Sequence, residues 1–167
     1  MIYTIKKGRH YSTNWVGMLW RLVRGWREFP QHKARVTFDD NCLTPSQDAD
    51  DINKLFGLSH GLDHHKESAR FGWRAKGDRI EILTYVYKGG KRYYEPLIEV
   101  VPFEDVYLEL CRTKEGWKFT ASGYGFTIEQ KTVQTLAGFP LFYKRLYPYF
   151  GGTYPAPETM KIKIEWL

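Results

Sequence analysis

The segment RIEILTYVYKGGKRYYEPLIEVV, residues 79–101, constrains the fold more than any other part of the chain. β-Branched and aromatic residues alternate on both sides of Lys88-Gly89-Gly90-Lys91. Two glycines between strand-like runs supply the positive φ angles that a tight hairpin turn needs. On the first arm Ile80, Ile82, Thr84 and Val86 share one face, and Glu81, Leu83, Tyr85 and Tyr87 share the other. Apolar character on both faces belongs to a central strand.

The same pattern recurs along the chain. VYLELCR (106–112) and WKFTASG (117–123) flank Lys114-Glu115-Gly116 and read as a second hairpin, which GFTIE (125–129) extends. LFYKRLYPYF (141–150) is β-prone until Pro148, which demotes its end to an edge or a bend. In TMKIKIEWL, Met160, Ile162, Ile164 and Trp166 face a core, while Lys161, Lys163 and Glu165 face water. IYTIK (2–6), ARVTF (34–38) and ARFGWR (69–74) bring the expectation to about nine strands. Helix signals are few. DADDINKLFG (48–57) carries acids at its start and glycine at its end, with Ile52, Leu55 and Phe56 on one face, and predicts a short helix. Trp15, Leu19, Leu22 and Trp26 have helical spacing, with Arg21, Arg24 and Arg27 on another face. Gly17 and Gly25 weaken that helix by roughly 1 kcal/mol each, so helix and irregular structure both stay open there. Many short strands, glycine turns and scarce helices predict an all-β fold, an antiparallel β-sandwich or barrel.

Charge divides the chain. Residues 1–35 hold eight Lys and Arg against Glu28 alone, so the whole net charge of +6 sits in the first fifth. We therefore expect a basic, aromatic N-terminal arm over 1–30 and a near-neutral sandwich domain over 31–167. No apolar run approaches the roughly 20 residues of a membrane-spanning helix. Lys6, Lys7 and Arg9 interrupt any secretory leader, so the expected location is cytoplasmic, or a virion for a phage-encoded chain. Cys42 and Cys111 are expected to be free, small core residues. With no C-x-x-C, no structural zinc site is expected, and no cofactor.

The run of short strands, the loop from Tyr147 to Pro157 (YPYFGGTYPAP) and the final alternating strand resemble a jelly-roll, concanavalin-like β-sandwich over residues 30–167. The chain is also similar to small proteins of bacterial and phage genomes. The resemblance implies carbohydrate binding as the commonest role. Such sandwiches also serve as virion parts, so the fold alone does not choose between them.

Three of the five histidines lie in His60-Gly-Leu-Asp63-His64-His65, which reads as a polar loop with the residue types of a metal site but no matching spacing. Asp48-Ala-Asp50-Asp51-Ile-Asn53 lacks the glycine and terminal glutamate of a calcium loop. Gly57-Leu-Ser59-His-Gly61 matches the letters of a nucleophile elbow without its strand–turn–helix setting. Glu95/Glu99 and Glu104/Asp105 read as solvent-facing acids rather than a glycosidase pair. No catalytic residue is therefore assigned. On 69–74, Arg70, Gly72 and Arg74 share a face where a planar or anionic group can approach, and Phe71 and Trp73 share the other. With 28 aromatic residues, some rings are expected outside the core.

Two functions fit. One is a non-catalytic binding domain, with carbohydrate as the leading ligand, stacking on Trp73, Trp117, Tyr147 and Tyr149 with Arg70 and Arg74 as donors. The other is a structural or assembly protein that docks another subunit or its own copy through Trp15, Leu19, Leu22, Trp26, Arg21 and Arg24. Nucleic acid is a weaker expectation, because the body of the domain is neutral.

Overall fold

The computed structural model describes residues 1–12, 22–24, 31–48, 50–123, 129–134 and 142–167, with the backbone alone for 22–24, 129 and 134. The strands are β1 (Ile2–Ile5), β2 (Leu22–Arg24), β3 (Gln31–Phe38), β4 (Asn53–His60), β5 (Glu67–Lys76), β6 (Arg79–Lys88), β7 (Lys91–Val100), β8 (Asp105–Arg112), β9 (Gly116–Gly123), β10 (Glu129–Gln134), β11 (Phe142–Leu146) and β12 (Met160–Trp166). They form two six-stranded antiparallel sheets. The first runs β1-β12-β3-β8-β9-β10 and the second β2-β11-β4-β5-β6-β7. Packed together they make an all-β, jelly-roll-like sandwich. Neighbours such as β12 and β3, far apart in sequence, pair in register from Ile162↔Phe38 to Trp166↔Ala34.

The expected hairpin is present, with Lys88 opposite Lys91 and positive φ at Gly89 and Gly90. Alternation sends Ile80, Ile82 and Val86 inward, with Ala69, Phe71 and Trp73 from β5 and Ile162 and Ile164 from β12. Among the described residues nine aromatic side chains lie fully buried between the sheets, Phe38, Phe56, Phe119 and Phe150 among them. The core thus takes up part of the aromatic content, while Tyr11, Tyr93, Tyr94, Phe103, Tyr107, Tyr154 and Trp166 lie outside it, exposed as expected of some rings.

Two expectations need correcting. There are more than nine strands, and residues 48–57 are not a helix. The one helical element among the described residues is a 3-10 turn, Asp40–Leu43. β4 begins at Asn53 and carries a bulge between Lys54 and Gly57, where two residues oppose one on β5. The extra residue lets successive side chains, Leu55 and Phe56, both enter the core. That imitates the i, i+3, i+4 spacing of a helix. Gly57 is required here, because a Cβ would overlap the Ala69 carbonyl oxygen and the backbone of Arg70. The acids do not cap a helix either. Asp48 accepts the Asp50 N–H in a local turn, and Asp51 accepts the N–H of Thr153.

Of the N-terminal arm, Ile2–Ile5 pairs with β12 and Leu22–Arg24 with β11. Trp15, Leu19, Arg21 and Trp26 lie outside the described residues, as does most of 125–129. Leu22 and Arg24 are placed by their backbone alone. Among the described residues no helix is long and apolar enough to cross a membrane. Both cysteines are free, Cys42 buried and Cys111 half-buried.

Candidate functional site

The two sheets turn different faces outward. On the first, charges alternate and cancel: Arg35 meets Glu165 and Asp105, Lys33 meets Glu109, and Lys163 meets Glu165. This is a solvated ion-pair ladder of small energetic weight.

The second sheet gathers cations and phenols around Arg70. Arg70 on β5 pairs directly with Tyr85 on β6, and Tyr85 with Tyr94 on β7. Tyr87 stands opposite Arg92. Arg70, Tyr85 and Tyr87 alternate outward while Phe71 and Val86 point inward, so the pleat itself assembles the group. The Arg70 guanidinium lies 5.7 Å from the Tyr85 ring centre. Lys54 Nζ sits 5.3 Å from the Tyr85 ring and 5.6 Å from that of Tyr149. Arg92 stacks over Tyr94 at 5.6 Å and hydrogen-bonds the Tyr85 hydroxyl. His64 and His65 lie against each other on the rim, tilted, with ring centres 4.1 Å apart, and His65 is edge-on to Tyr87.

Arg70 is only 6 % exposed, and its Nε is buried without a hydrogen-bond partner among the described residues. Neither Lys54, Arg70 nor Arg92 makes an ion pair there. Burial, set against the charges of Tyr85, Tyr87 and Tyr149, lowers the Arg70 pKa. Burial, helped by Arg70, pushes Lys54 down to about 8. Burial, with Arg70, His65 and Lys144, takes His64 down to about 4, so it is neutral at pH 7. Tyr85 is pushed up to about 12 by burial and its hydrogen bond with Tyr87. Desolvated cations without counter-charges are costly, and an anion settling among them would raise the lowered pKa values of Arg70, Lys54 and His64 again.

The wall beside this group is held rigidly. Tyr149 and Lys54 exchange backbone hydrogen bonds of 2.9 and 2.8 Å. Lys54 Nζ donates to Gly151 O at 2.8 Å, and Gly151 N–H donates to Asn53 Oδ1 at 2.6 Å. Burial would raise the Asp51 pKa, but the N–H groups of Gly152, Thr153 and Tyr154, with Lys54, outweigh it and lower it. Gly152 has no room for a side chain, since a Cβ would lie 2.5 Å from Asp51 Oδ1. Tyr149 is further clasped by His10, stacked at 5.3 Å, and Tyr11, edge-on at 5.0 Å.

Of the residues singled out from sequence, Arg70 and Tyr149 belong to this group. Arg74 shares their face but is paired with Glu81, its Nε donating at 2.7 Å. Trp73 and Trp117 are fully buried core residues with no ring surface to offer a ligand, because their strand positions alternate inward. Tyr147 stacks on Tyr3 at 6.1 Å, against the core. Lys54, Tyr85, Tyr87 and Arg92 are not among the candidate residues of the sequence, and His64 is there only as part of the histidine loop. The sequence places Tyr85 and Tyr87 on one face, and what it lacks is the register that sets Arg70 against Tyr85. The histidine segment is split: His60 turns inward to Trp117 and Tyr143, while His64 and His65 stay on the rim.

By comparison with solved structures the fold of this chain resembles the concanavalin-like β-sandwich. An alginate lyase from Klebsiella pneumoniae superposes with a TM-score of 0.63 at 9 % identity, over 83 % of this chain and 59 % of that one. An alginate lyase from Pseudomonas aeruginosa gives 0.56 at 12 %, over 86 % and 65 %. A protein of unknown function from Saccharomyces cerevisiae gives 0.54 at 16 %, over 87 % and 70 %. The chain thus spans less than two thirds of either lyase. At these identities the likeness is one of fold. No family model and no curated protein matches the sequence.

Proposed function

We propose that the outer face of the second sheet binds an acidic carbohydrate, a chain bearing uronate carboxylates. The observation that carries this reading is the buried Arg70 side chain, with an unused Nε–H, among Lys54, Arg92 and the phenols of Tyr85, Tyr87 and Tyr149. A guanidinium fork matches a carboxylate. Phenol rings offer a sugar both an apolar face and a polar edge. The sandwiches of similar fold include proteins described as alginate lyases, which accords with a uronate ligand. The test is calorimetric titration with oligomannuronates, oligoguluronates and oligogalacturonates beside neutral cello- and xylo-oligosaccharides. Acidic chains should bind and neutral ones should not. Arg70→Gln should weaken binding about 10- to 100-fold, the worth of a charged hydrogen bond. Equal binding of neutral chains, or full binding by the Arg70 variant, would sink the reading.

A second reading, eliminative cleavage, is favoured by one observation: Lys54, with its pKa near 8, stands between Arg70 and Tyr149. With Arg70 neutralising the carboxylate, the neutral Lys54 amine would take the proton at C5. The C4–C5 double bond forms, the C4–O bond breaks, and the Tyr149 hydroxyl gives its proton to the departing oxygen. Ultraviolet absorbance of the unsaturated uronate reads this out. Binding without any such absorbance leaves the protein a binding domain.

A further inference from the structure

A cavity of about 310 Å³ opens at the other end of β5, lined by Ser46, Asp48, Asp51, Asn53, Arg74 and Lys76. Arg70 and Arg74 lie on the same face of one strand, four residues apart, so about 13 Å separates their positions. The ground between them is apolar and low. Gly72 leaves room for Ile52, whose Cγ2 would be 2.6 Å from a Cβ at that position. Ile52 packs there with Leu83 and Tyr85 in a small cluster of its own. Asp51 joins the two ends, lining the cavity while holding the loop that carries Tyr149.

The chemistry of the two ends differs. Around Arg70, neither Arg70 nor Arg92 is paired with a described carboxylate, and Lys54 feels Asp51 only through space. In the cavity positive charge is already spoken for: Arg74 donates to Glu81, and Lys76 to Glu81 at 3.0 Å and Glu99 at 2.6 Å. What remains toward the cavity is the Asp48 carboxylate, with the Ser46 hydroxyl and the Asp51 carboxylate that it contacts at 3.4 Å beside it, groups suited to sugar hydroxyls and repellent to a second acid. A single pyranose cannot reach across about 13 Å of strand, and a short oligosaccharide can.

We infer that this cavity is a second subsite, taking the hydroxyl groups of a neighbouring sugar on the same chain whose uronate is held at Arg70. The inference rests on the acidic-carbohydrate reading of the Arg70 group. It makes the ligand an oligomer and requires no carboxylate at the cavity end.

The experiment is titration of the full chain with glucuronate and with chains of one to five neutral xylose residues that carry a single glucuronate, for the natural protein and for Ser46→Trp and Asp48→Lys. Ser46→Trp fills the cavity; Asp48→Lys alters its lip, is solvent-accessible, and guards against a misfolded first variant, with circular dichroism checking both. Affinity should rise about tenfold once the chain is long enough to reach the cavity, the gain expected of one or two added hydrogen bonds. Both variants should lose that rise while binding the shortest acidic ligand as before. If the shortest acid binds as tightly as the longest, or the rise survives in both folded variants, the subsite is overturned and the Arg70 site stands. If no acidic chain binds at all, both readings fall together.

Discussion

Lys54 shows how one buried side chain can make function depend on pH. Its pKa falls from 10.5 to about 8, chiefly through burial and then Arg70. Above pH 8 the group near Arg70 loses one positive charge, and an anion bound there would favour the protonated form. Binding of a uronate chain should therefore weaken as pH rises from 7 to 9.5, and between 8 and 9 it should take up protons. Titrations at pH 8.5 in buffers of different ionisation enthalpy check this, and Lys54→Met should abolish the uptake. Elsewhere, His32 is buried with neither ring nitrogen bonded to a described residue, its pKa lowered to about 4 by burial and then by Arg145. The unfolded chain binds this proton near pH 6.5 and the folded chain only near 4, so stability is lost as pH falls across that window. His60 and His64 shift the same way. Urea unfolding at pH 7, 5.5 and 4.5 should show falling midpoints, with a shallower fall in His32→Leu. Identical slopes would mean that burial of His32 is not what the acid works against.

At the scale of elements, strands were legible wherever alternation had one wet side or a glycine turn. β12 and the β6–β7 hairpin follow from their letters, and so does the opposition of Arg70 to Phe71. β4 was not legible. Its bulge places Leu55 and Phe56 together in the core, and a periodicity argument reads two adjacent inward residues as helix. Only contact with β5 shows that Gly57 serves a close backbone approach rather than the end of a helix. Gly57→Ala should accordingly destabilise by about 1–3 kcal/mol, the usual cost of overpacking, measured as a drop in unfolding free energy. The candidate site was half legible for the same reason. Its members come from β4, β5, β6, β7 and the loop after β11, and a sequence says nothing of register. Asp51, one of the acids expected at the start of a helix, holds that loop instead. Asp51→Ala leaves N–H groups of residues 152–154 without their acceptor and should loosen Tyr149. Binding should fall several-fold while melting shifts by a few degrees at most. A melt shift with unchanged affinity would show that the loop keeps its place without Asp51.

At the scale of the molecule, the two sheets divide the work. One carries a ladder of ion pairs outward, and the other carries, beside the paired Arg74 and Lys76, the cations Arg70 and Arg92, which no described carboxylate pairs. The net +6 of the chain is thus less informative than its distribution. The N-terminal residues matter to this division in a way that their basic character did not suggest. Ile2–Ile5 is an edge strand of the first sheet, Leu22–Arg24 pairs at the edge of the second, and Tyr3 and Ile5 are fully buried. Deleting residues 1–30 should therefore do more than detach an arm. Losing two buried side chains at about 1.5–3 kcal/mol each removes roughly 3–6 kcal/mol, comparable with the whole stability of many domains. The truncated chain should melt well below the full-length protein, unfold less cooperatively, or aggregate. Light scattering on such a truncation would report exposed sheet edges rather than a native assembly surface. Point substitutions in the same segment separate the two effects. Tyr3→Ala should lower the melting temperature at constant mass, whereas Trp15→Ala and Trp26→Ala, if those rings dock a second copy, should reduce the mass at constant melting temperature. A truncation that melts like the full chain would show that β1 adds nothing to the sandwich, and the arm would then be free to serve an interface.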